Sequence, residues 1–275
     1  VPVNLNYRQP VENLTVMCEN VKVDHLVASS FFALEAKALA VARAFSGKLF
    51  FLDAVHGETT VICSPEKRSK DEEFFSASIK PDDIAVVMFT SGSTNVPKAV
   101  PLTHRGLTWL FQSKFQAEGY VPGQAHGGAM CFMPCYHVMG FCNNFLFCLY
   151  AGVRAFLLDA SDSTPIAPQL LIDAVQACEP SVLTTVPWIM EAFAAMANND
   201  EMVPRTLQTV NYILCGGAKL SKFCVSTLKT HGVGVRSICG ATEVGGSILI
   251  GETGEETLRM QPYPGVGWEL LPCAG

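Results

Sequence analysis

The chain reads as an α/β protein made of two stacked α/β layers with mainly parallel sheets, and three observations predict this. Short β-branched runs alternate with helix-period segments along most of the sequence, the pattern of strands joined by crossover helices. Several strand-like runs, such as Ile84 to Met88, are continuously apolar rather than alternating, as expected of strands covered on both faces. Glycine- and hydroxyl-rich stretches follow several of these runs, and open parallel sheets bind ligands beyond the carboxyl ends of their strands.

Taken in order, Val11 to Val21 predicts a helix and His25 to Ala28 a strand. Phe31 to Phe45 is rich in alanine and leucine and predicts a helix stopped by Gly47; Lys48 to Asp53 predicts a strand. From Ser64 to Asp83 the chain is dense in charge, a solvated connector. Ile84 to Met88 predicts a buried strand of a parallel sheet, and His104 to Glu118 a helix. Gly119 to Gly128 is the most linker-like run and places a boundary near Gly123. Beyond it strands are expected at Ala129 to Met133, Val153 to Leu158, Val182 to Val186, Val210 to Cys215 and Val233 to Cys239. Helices are expected at Val138 to Tyr150, Ile166 to Cys178, Pro187 to Ala197 and Ser221 to His231. The expected division is a first subdomain over 1–125, a second over 126–251 and the start of a third, truncated one over 252–275.

Composition narrows the function. Charged residues make up 16% of the chain and apolar ones 49%, against about 25% charged in a typical domain. The net charge of −6 comes with no basic cluster, which argues against a nucleic-acid partner. Between Gly127 and Val153 no residue is formally charged, but Pro134, His137 and Asn143-Asn144 interrupt the run. A buried strand, loop and helix fit it better than a membrane span. The start of the chain lacks a secretory leader pattern, and eleven cysteines without a Cys-x-x-Cys pair suit reduced thiols in a cytoplasmic protein. Cys131, Cys135 and His137 are spaced closely enough for zinc, without an evident fourth ligand.

Four stretches carry chemistry. Phe89 to Val100 supplies the hydroxyls of Thr90, Ser91, Ser93 and Thr94, the bare backbone of Gly92 and the long cation of Lys98. A polyphosphate needs such short donors, close backbone approach and one cation; an ordinary Ser/Gly turn has similar composition. Pro134 to Gly140 puts His137 just past a strand, as a site residue or a packed structural histidine. Gly216, Gly217 and Ala218 open a strand end into side-chain-free backbone that a flat ring could lie against, or form a tight turn. Cys239, Gly240, Ala241, Thr242 and Glu243 set a hydroxyl beside a carboxylate at another strand end. The pair could serve a phosphate and a hard cation such as Mg²⁺, or be a surface turn.

In this order the stretches resemble the adenylate-forming superfamily: acyl- and aryl-CoA ligases, luciferase-like enzymes and the adenylation domains of nonribosomal peptide synthetases. The family's phosphate loop, roughly (S/T)SG(S/T)TG-x-PKG, matches TSGSTNVPKAV; P-x-x-H-x-x-G matches Pro134, His137 and Gly140. The adenine turn matches Gly216-Gly217-Ala218, and Y-G-x-T-E matches CGATE. The opening Leu5-Asn6-Tyr7-Arg8-Gln9-Pro10 is similar to the family's LNPRxP region. The texture is closest to adenylating reductases, in which carrier and reductase domains follow.

The resemblance implies binding of ATP and Mg²⁺, and activation of a carboxylic acid to an acyl-adenylate with release of pyrophosphate. The acyl acceptor would be phosphopantetheine on a carrier domain, or CoA. It assigns phosphate contacts to Thr90, Ser91, Gly92, Ser93, Thr94 and Lys98. Adenine falls to Gly216, Gly217 and Ala218 with Cys239, Gly240 and Ala241, the α-phosphate to Thr242, Mg²⁺ to Glu243 and the acyl pocket to His137. Amino-acid-adenylating members carry Phe-Asp where this chain has Tyr136-His137, so an acid without an α-amine (aryl, 2-keto or aliphatic) is expected. Departures are Asn95 and Ala99 in place of glycines, and Cys239 where an aromatic usually stacks on adenine. The family's later ribose-binding aspartate and C-terminal catalytic lysine are not matched before Gly275, so the expectation is the core of a large N-terminal domain, weakly active or inactive alone. A non-catalytic nucleotide-binding remnant is the alternative.

Overall fold

The structure, a computed structural model, describes residues 2–23, 25–29, 37–38, 40–41, 44, 48–52, 59–61, 79–90, 97–118, 128–158, 166–253, 258–267 and 269. The chain divides into two compact units, Val1–Arg105 and Gly106–Gly275. The boundary expected near Gly123 lies outside the described residues, as do most of the connector from Ser64 and most of the helix expected over Phe31 to Phe45. Of that helix Lys37, Ala38, Ala40, Val41 and Ala44 are described, and they are helical.

In the first unit, helix α1 (Val11–Asn20) buries Leu14, Met17 and Cys18, the i, i+3, i+4 stripe of an amphipathic helix. These close on Val41, with Leu5, Val23, Leu26 and Phe89 around them. Strand β1 (His25–Ser29) pairs parallel with β2 (Lys48–Leu52), and β2 antiparallel with β3 (Thr59–Val61). Strand β4 (Ile84–Thr90) does not join a parallel sheet among the described residues. It forms an antiparallel hairpin with β5 (Lys98–Thr103), from Ile84↔Thr103 to Thr90↔Lys98. Seven residues between two strands suffice for a hairpin, whereas a parallel return needs a dozen or more. Pro101 hid β5 from sequence reading, because proline has no ladder donor. The backbone of its partner Val87 turns the other way, accepting from Asn4 N–H and donating to the Pro2 carbonyl.

The second unit holds a seven-stranded sheet in the order β12-β11-β10-β9-β8-β6-β7. Strands β6 (Ala129–Cys131), β7 (Ala155–Leu157), β8 (Val182–Thr185), β9 (Tyr212–Gly216) and β10 (Arg236–Ala241) pair parallel. Strands β11 (Gly246–Thr253) and β12 (Leu258–Pro262) add antiparallel at one edge, so Thr253 and Leu258–Pro262 belong to this sheet. Alternate side chains enter two cores. Met130, Leu183, Ile213 and Cys215 pack with residues of the helices Pro168–Cys178, Pro187–Ala197, Met202–Gln208 and Lys222–Thr230. Ala129, Cys131, Val182, Leu214 and Ile238 face Cys148 and Tyr263. The sheet is therefore covered on both faces, which is why its strands read as unbroken apolar runs.

Two expectations change in detail. The helix Met202–Gln208 was not expected, because Pro204 sits in it; in the first turn proline costs no intrahelical bond. The single helix expected from Val138 to Tyr150 is three pieces: α-helical Val138–Gly140, π-helical Phe141–Leu146 and α-helical Phe147–Ala151. Among the described residues no helix is long and apolar enough to cross a membrane.

The helix His104–Ala117 carries Lys114 into the core of the second unit, where its side chain is 1% exposed and that of Glu118 0%. Lys114 Nζ meets Glu118 Oε1 at 2.9 Å and lies 4.8 Å from the centroid of the Phe147 ring. The Tyr263 hydroxyl donates to the same Oε1 at 2.7 Å. Removing one member of such a pair strands the other charge in a dry site. Lys114→Met is expected to lower unfolding free energy by about 3–5 kcal/mol in urea titration, and adding Glu118→Leu to recover much of the loss.

Candidate functional site

In the first unit the hairpin positions the ends of the hydroxyl-rich loop. Thr90, half-buried, is the last residue of β4; Lys98, exposed, is the first of β5, and the two are cross-strand partners. Pro97 before the lysine is buried. The residues between, including Ser91, Gly92, Ser93 and Thr94, lie outside the described residues.

In the second unit, three stretches come off the C-terminal ends of β6, β9 and β10. After β6 the chain turns at Pro134, whose carbonyl accepts from His137 N–H at 3.0 Å. A side chain at Gly140 would run into the carbonyls of Met133 and Pro134. The spacing Pro-x-x-His-x-x-Gly is thus a closed turn in which backbone packs on backbone. His137 caps the short helix Val138–Gly140, its Nδ1 accepting from Met139 N–H at 3.1 Å, so in the neutral ring the proton sits on Nε2. The residue reaches solvent, yet enough of the ring is covered that burial lowers its pKa from the ordinary value.

Met139 links this turn to the next stretch. A Cβ added at Gly216 would meet Met139 Cε at 3.0 Å and Ile238 Cγ1 at 2.9 Å, so the missing side chain at the end of β9 is what lets the histidine turn close on it. Gly217 follows with φ +98° and open space beside it, and Ala218 is exposed. This is a bare shelf, as a planar ligand requires. The parallel register sets Ile238 beside Gly216, which brings Cys239, exposed, to the same sheet end as the shelf.

Strand β10 runs two residues further than expected, through Gly240 and Ala241, with a bulge between Cys239 and Gly240. At the bulge Gly240 lies against the backbone of Gly246, where a side chain has no room. Thr242, half-buried, and Glu243, exposed, then form a 3₁₀ turn with Val244. It closes when Gly245, at φ +80°, donates its N–H to the Thr242 carbonyl at 2.9 Å. A hydroxyl and an exposed carboxylate on one tight turn form a donor set that fits a phosphate and a hard cation.

Sequence reading missed Met139 and Asn143. Two consecutive asparagines in an apolar helix were the available signal: Asn143 and Asn144 are buried in the π-helical turn, and the Nδ2 of each has no hydrogen-bond partner among the described residues. The zinc alternative loses its basis. Cys131 is buried while Cys135 and His137 are exposed, and among the described residues no three His, Cys, Asp or Glu side chains could hold a metal ion. Among the described residues no cysteine forms a disulfide.

The family model for AMP-binding enzymes matches residues 1–274. The chain belongs to the AMP-binding enzyme family. An adenylate-forming reductase of Aspergillus terreus is 30% identical over 165 residues, covering 60% of this chain and 14% of the relative. The adenylate-forming reductase stbB of Stachybotrys bisbyi is 25% identical over 255 residues, 90% of this chain and 22% of the relative. Among solved structures, the Bacillus subtilis O-succinylbenzoate coenzyme A synthetase in complex with ATP and magnesium ion superposes with a TM-score of 0.69 at 16% identity, over 91% of this chain and 46% of that one. This likeness shows a shared fold, that of the N-terminal region of adenylate-forming enzymes. The chain spans less than a quarter of the length of the two curated relatives and under half of the synthetase.

The protonation of His137 is testable. Its ring should titrate below about 6.5, followed by its NMR ring resonances; a midpoint at or above that value would contradict the burial argument. The unfolded chain binds this proton more readily, so His137 makes stability fall as pH drops through about 6.5 and no longer change below the folded pKa. His137→Gln should flatten that part of the urea stability profile.

Proposed function

We propose that the chain is the ATP- and acid-binding core of an enzyme that converts a carboxylic acid to an acyl-adenylate. A carboxylate oxygen attacks the α-phosphorus of ATP, the bond to the bridging oxygen of the β-phosphate breaks, and pyrophosphate leaves. Two anions must meet, so the protein's work is positioning and charge neutralisation. The observation that carries this reading is the convergence in the second unit: the histidine turn packs through Met139 on the bare Gly216 shelf, and the register brings Cys239 to the same sheet end. This juxtaposition supports a reading in which an acid-side group lies beside an adenine-side surface.

In this reading Lys98, with Thr90, Ser91, Gly92, Ser93 and Thr94, holds the β- and γ-phosphates. Gly216, Gly217, Ala218, Cys239, Gly240 and Ala241 line the adenine, Thr242 contacts the α-phosphate and His137 borders the reacting carboxylate. Glu243 would hold Mg²⁺, which supplies positive charge to the phosphates. A neutral imidazole gives no counter-charge to an ammonium, which supports an aryl, 2-keto or aliphatic acid over an amino acid. The likeness to adenylate-forming reductases supports transfer of the acyl group to a phosphopantetheine thiol on a carrier domain, with AMP leaving, and a reductase domain acting next. CoA as acceptor is the second reading, favoured by the fold shared with a coenzyme A synthetase.

Acid-dependent ATP–pyrophosphate exchange over a panel of aryl, keto, fatty and amino acids, on the longest chain carrying these residues, tests the proposal. Exchange with one non-amino acid class is expected, reduced about 10²-fold or more in Lys98→Ala. Exchange with amino acids alone would overturn the substrate class, and none with any acid would favour a nucleotide-binding remnant. Cys239→Tyr separates the same two readings: an added stacking ring should tighten ATP binding by about 1 kcal/mol, about fivefold, by calorimetry in an active enzyme, and change little in a remnant.

A further inference from the structure

We infer that Asn143 is a positioning residue that ties the Thr242–Glu243 turn to the histidine turn; this rests on the roles proposed above for Thr242, Glu243 and His137. Asn143 lies in the π-helical segment Phe141–Leu146, directly after the helix that His137 caps and Gly140 anchors. It is 1% exposed, and its Oδ1 accepts the backbone N–H of Ser247 at 3.4 Å, over a separation of 104 residues.

The same oxygen lies 3.0 Å from where a Cβ on Gly246 would sit, and Gly246 has φ +153°. Glycine is therefore required at 246 both by conformation and by the amide against it. Gly246 and Ser247 are the residues on which the Thr242–Glu243 turn lands: Gly245 closes the turn, and Ala241↔Gly246 and Gly240↔Ser247 pair across its base. One side chain on the histidine segment thus holds the base of the turn that presents the hydroxyl and the carboxylate.

Packing alone does not account for an asparagine here. Its Nδ2 is buried without a partner among the described residues, a desolvation cost that leucine would avoid. The amide is retained for its oxygen. π-Helical turns recur where a side chain must be re-aimed at a functional site.

The test uses the longest chain carrying these residues and two readouts. Asn143→Ala should speed hydrogen exchange of the Ser247 amide. It should also lower the maximal rate of acid-dependent ATP–pyrophosphate exchange by about 10- to 100-fold, the usual cost of losing an orienting partner, with the acid KM unchanged and more Mg²⁺ needed for half-maximal rate. Asn143→Asp, which keeps an acceptor oxygen in place, should restore Ser247 protection and much of the rate. Gly246→Ala, which pushes on Oδ1 from the opposite side, should reproduce the loss in a chain that still folds by circular dichroism. Unchanged Ser247 protection in Asn143→Ala overturns the inference, as does lost protection with unchanged rate and Mg²⁺ dependence. Absence of exchange in the unsubstituted chain would instead count against the proposed function, and the Ser247 amide would still decide whether Asn143 holds the turn.

Discussion

Parallel pairing of β6, β8, β9 and β10 imposes the constraint on which the second unit depends. Because these strands run the same way, whatever follows each of them emerges at one edge of the sheet. The histidine turn after β6, the glycine shelf after β9 and the Thr242–Glu243 turn after β10 are separated by up to about a hundred residues in sequence, yet share that edge. Registers such as Ile238↔Gly216 and Thr185↔Cys215 then decide which residue of one stretch lies beside which residue of the next.

Close approach at that edge depends on missing side chains. Gly140 lies on the carbonyls of Met133 and Pro134, Gly216 admits Met139, and Gly240 packs on Gly246 across the β10 bulge. Each contact brings two backbones, or a backbone and one side chain, nearer than a Cβ would permit. What could pass for turn composition is therefore a packing requirement: Gly140 and Gly240 let two turns close on themselves, and Gly216 lets the histidine turn reach the end of β9. Beneath it the sheet is conventional, with alternate residues feeding two apolar cores. The exception is the Lys114–Glu118 pair with Tyr263, which fixes the end of the helix His104–Ala117 by charge rather than by apolar fit.

Membership of the AMP-binding family was legible because its signature lies in short local patterns whose order survives sequence divergence. Most crossover helices and strands were legible too, since burial on both faces leaves continuous apolar runs and helical stripes. Failures had local causes. Pro101 and Pro204 concealed β5 and the helix Met202–Gln208, because proline is weighed as a breaker whereas an edge pairing and a first helical turn both tolerate it. The π-helical segment could not be read, since a period of 4.4 residues over one turn leaves no distinct apolar pattern.

By itself, the sequence determined the α/β class, the family and the kinds of side chain available for chemistry: hydroxyls and Lys98, His137, bare glycines, Thr242 and Glu243. The class and the side chains follow from composition and spacing, which local physics reads directly; the family follows from the resemblance of the ordered motifs. Tertiary structure alone decided that β4 turns back in a hairpin, pairing Thr90 with Lys98. It alone decided that Met139 closes on Gly216 and that Asn143 reaches Ser247. Those contacts depend on strand register and on a helix wound one residue wider, and both are set by the packing of distant segments, which no stretch of sequence contains.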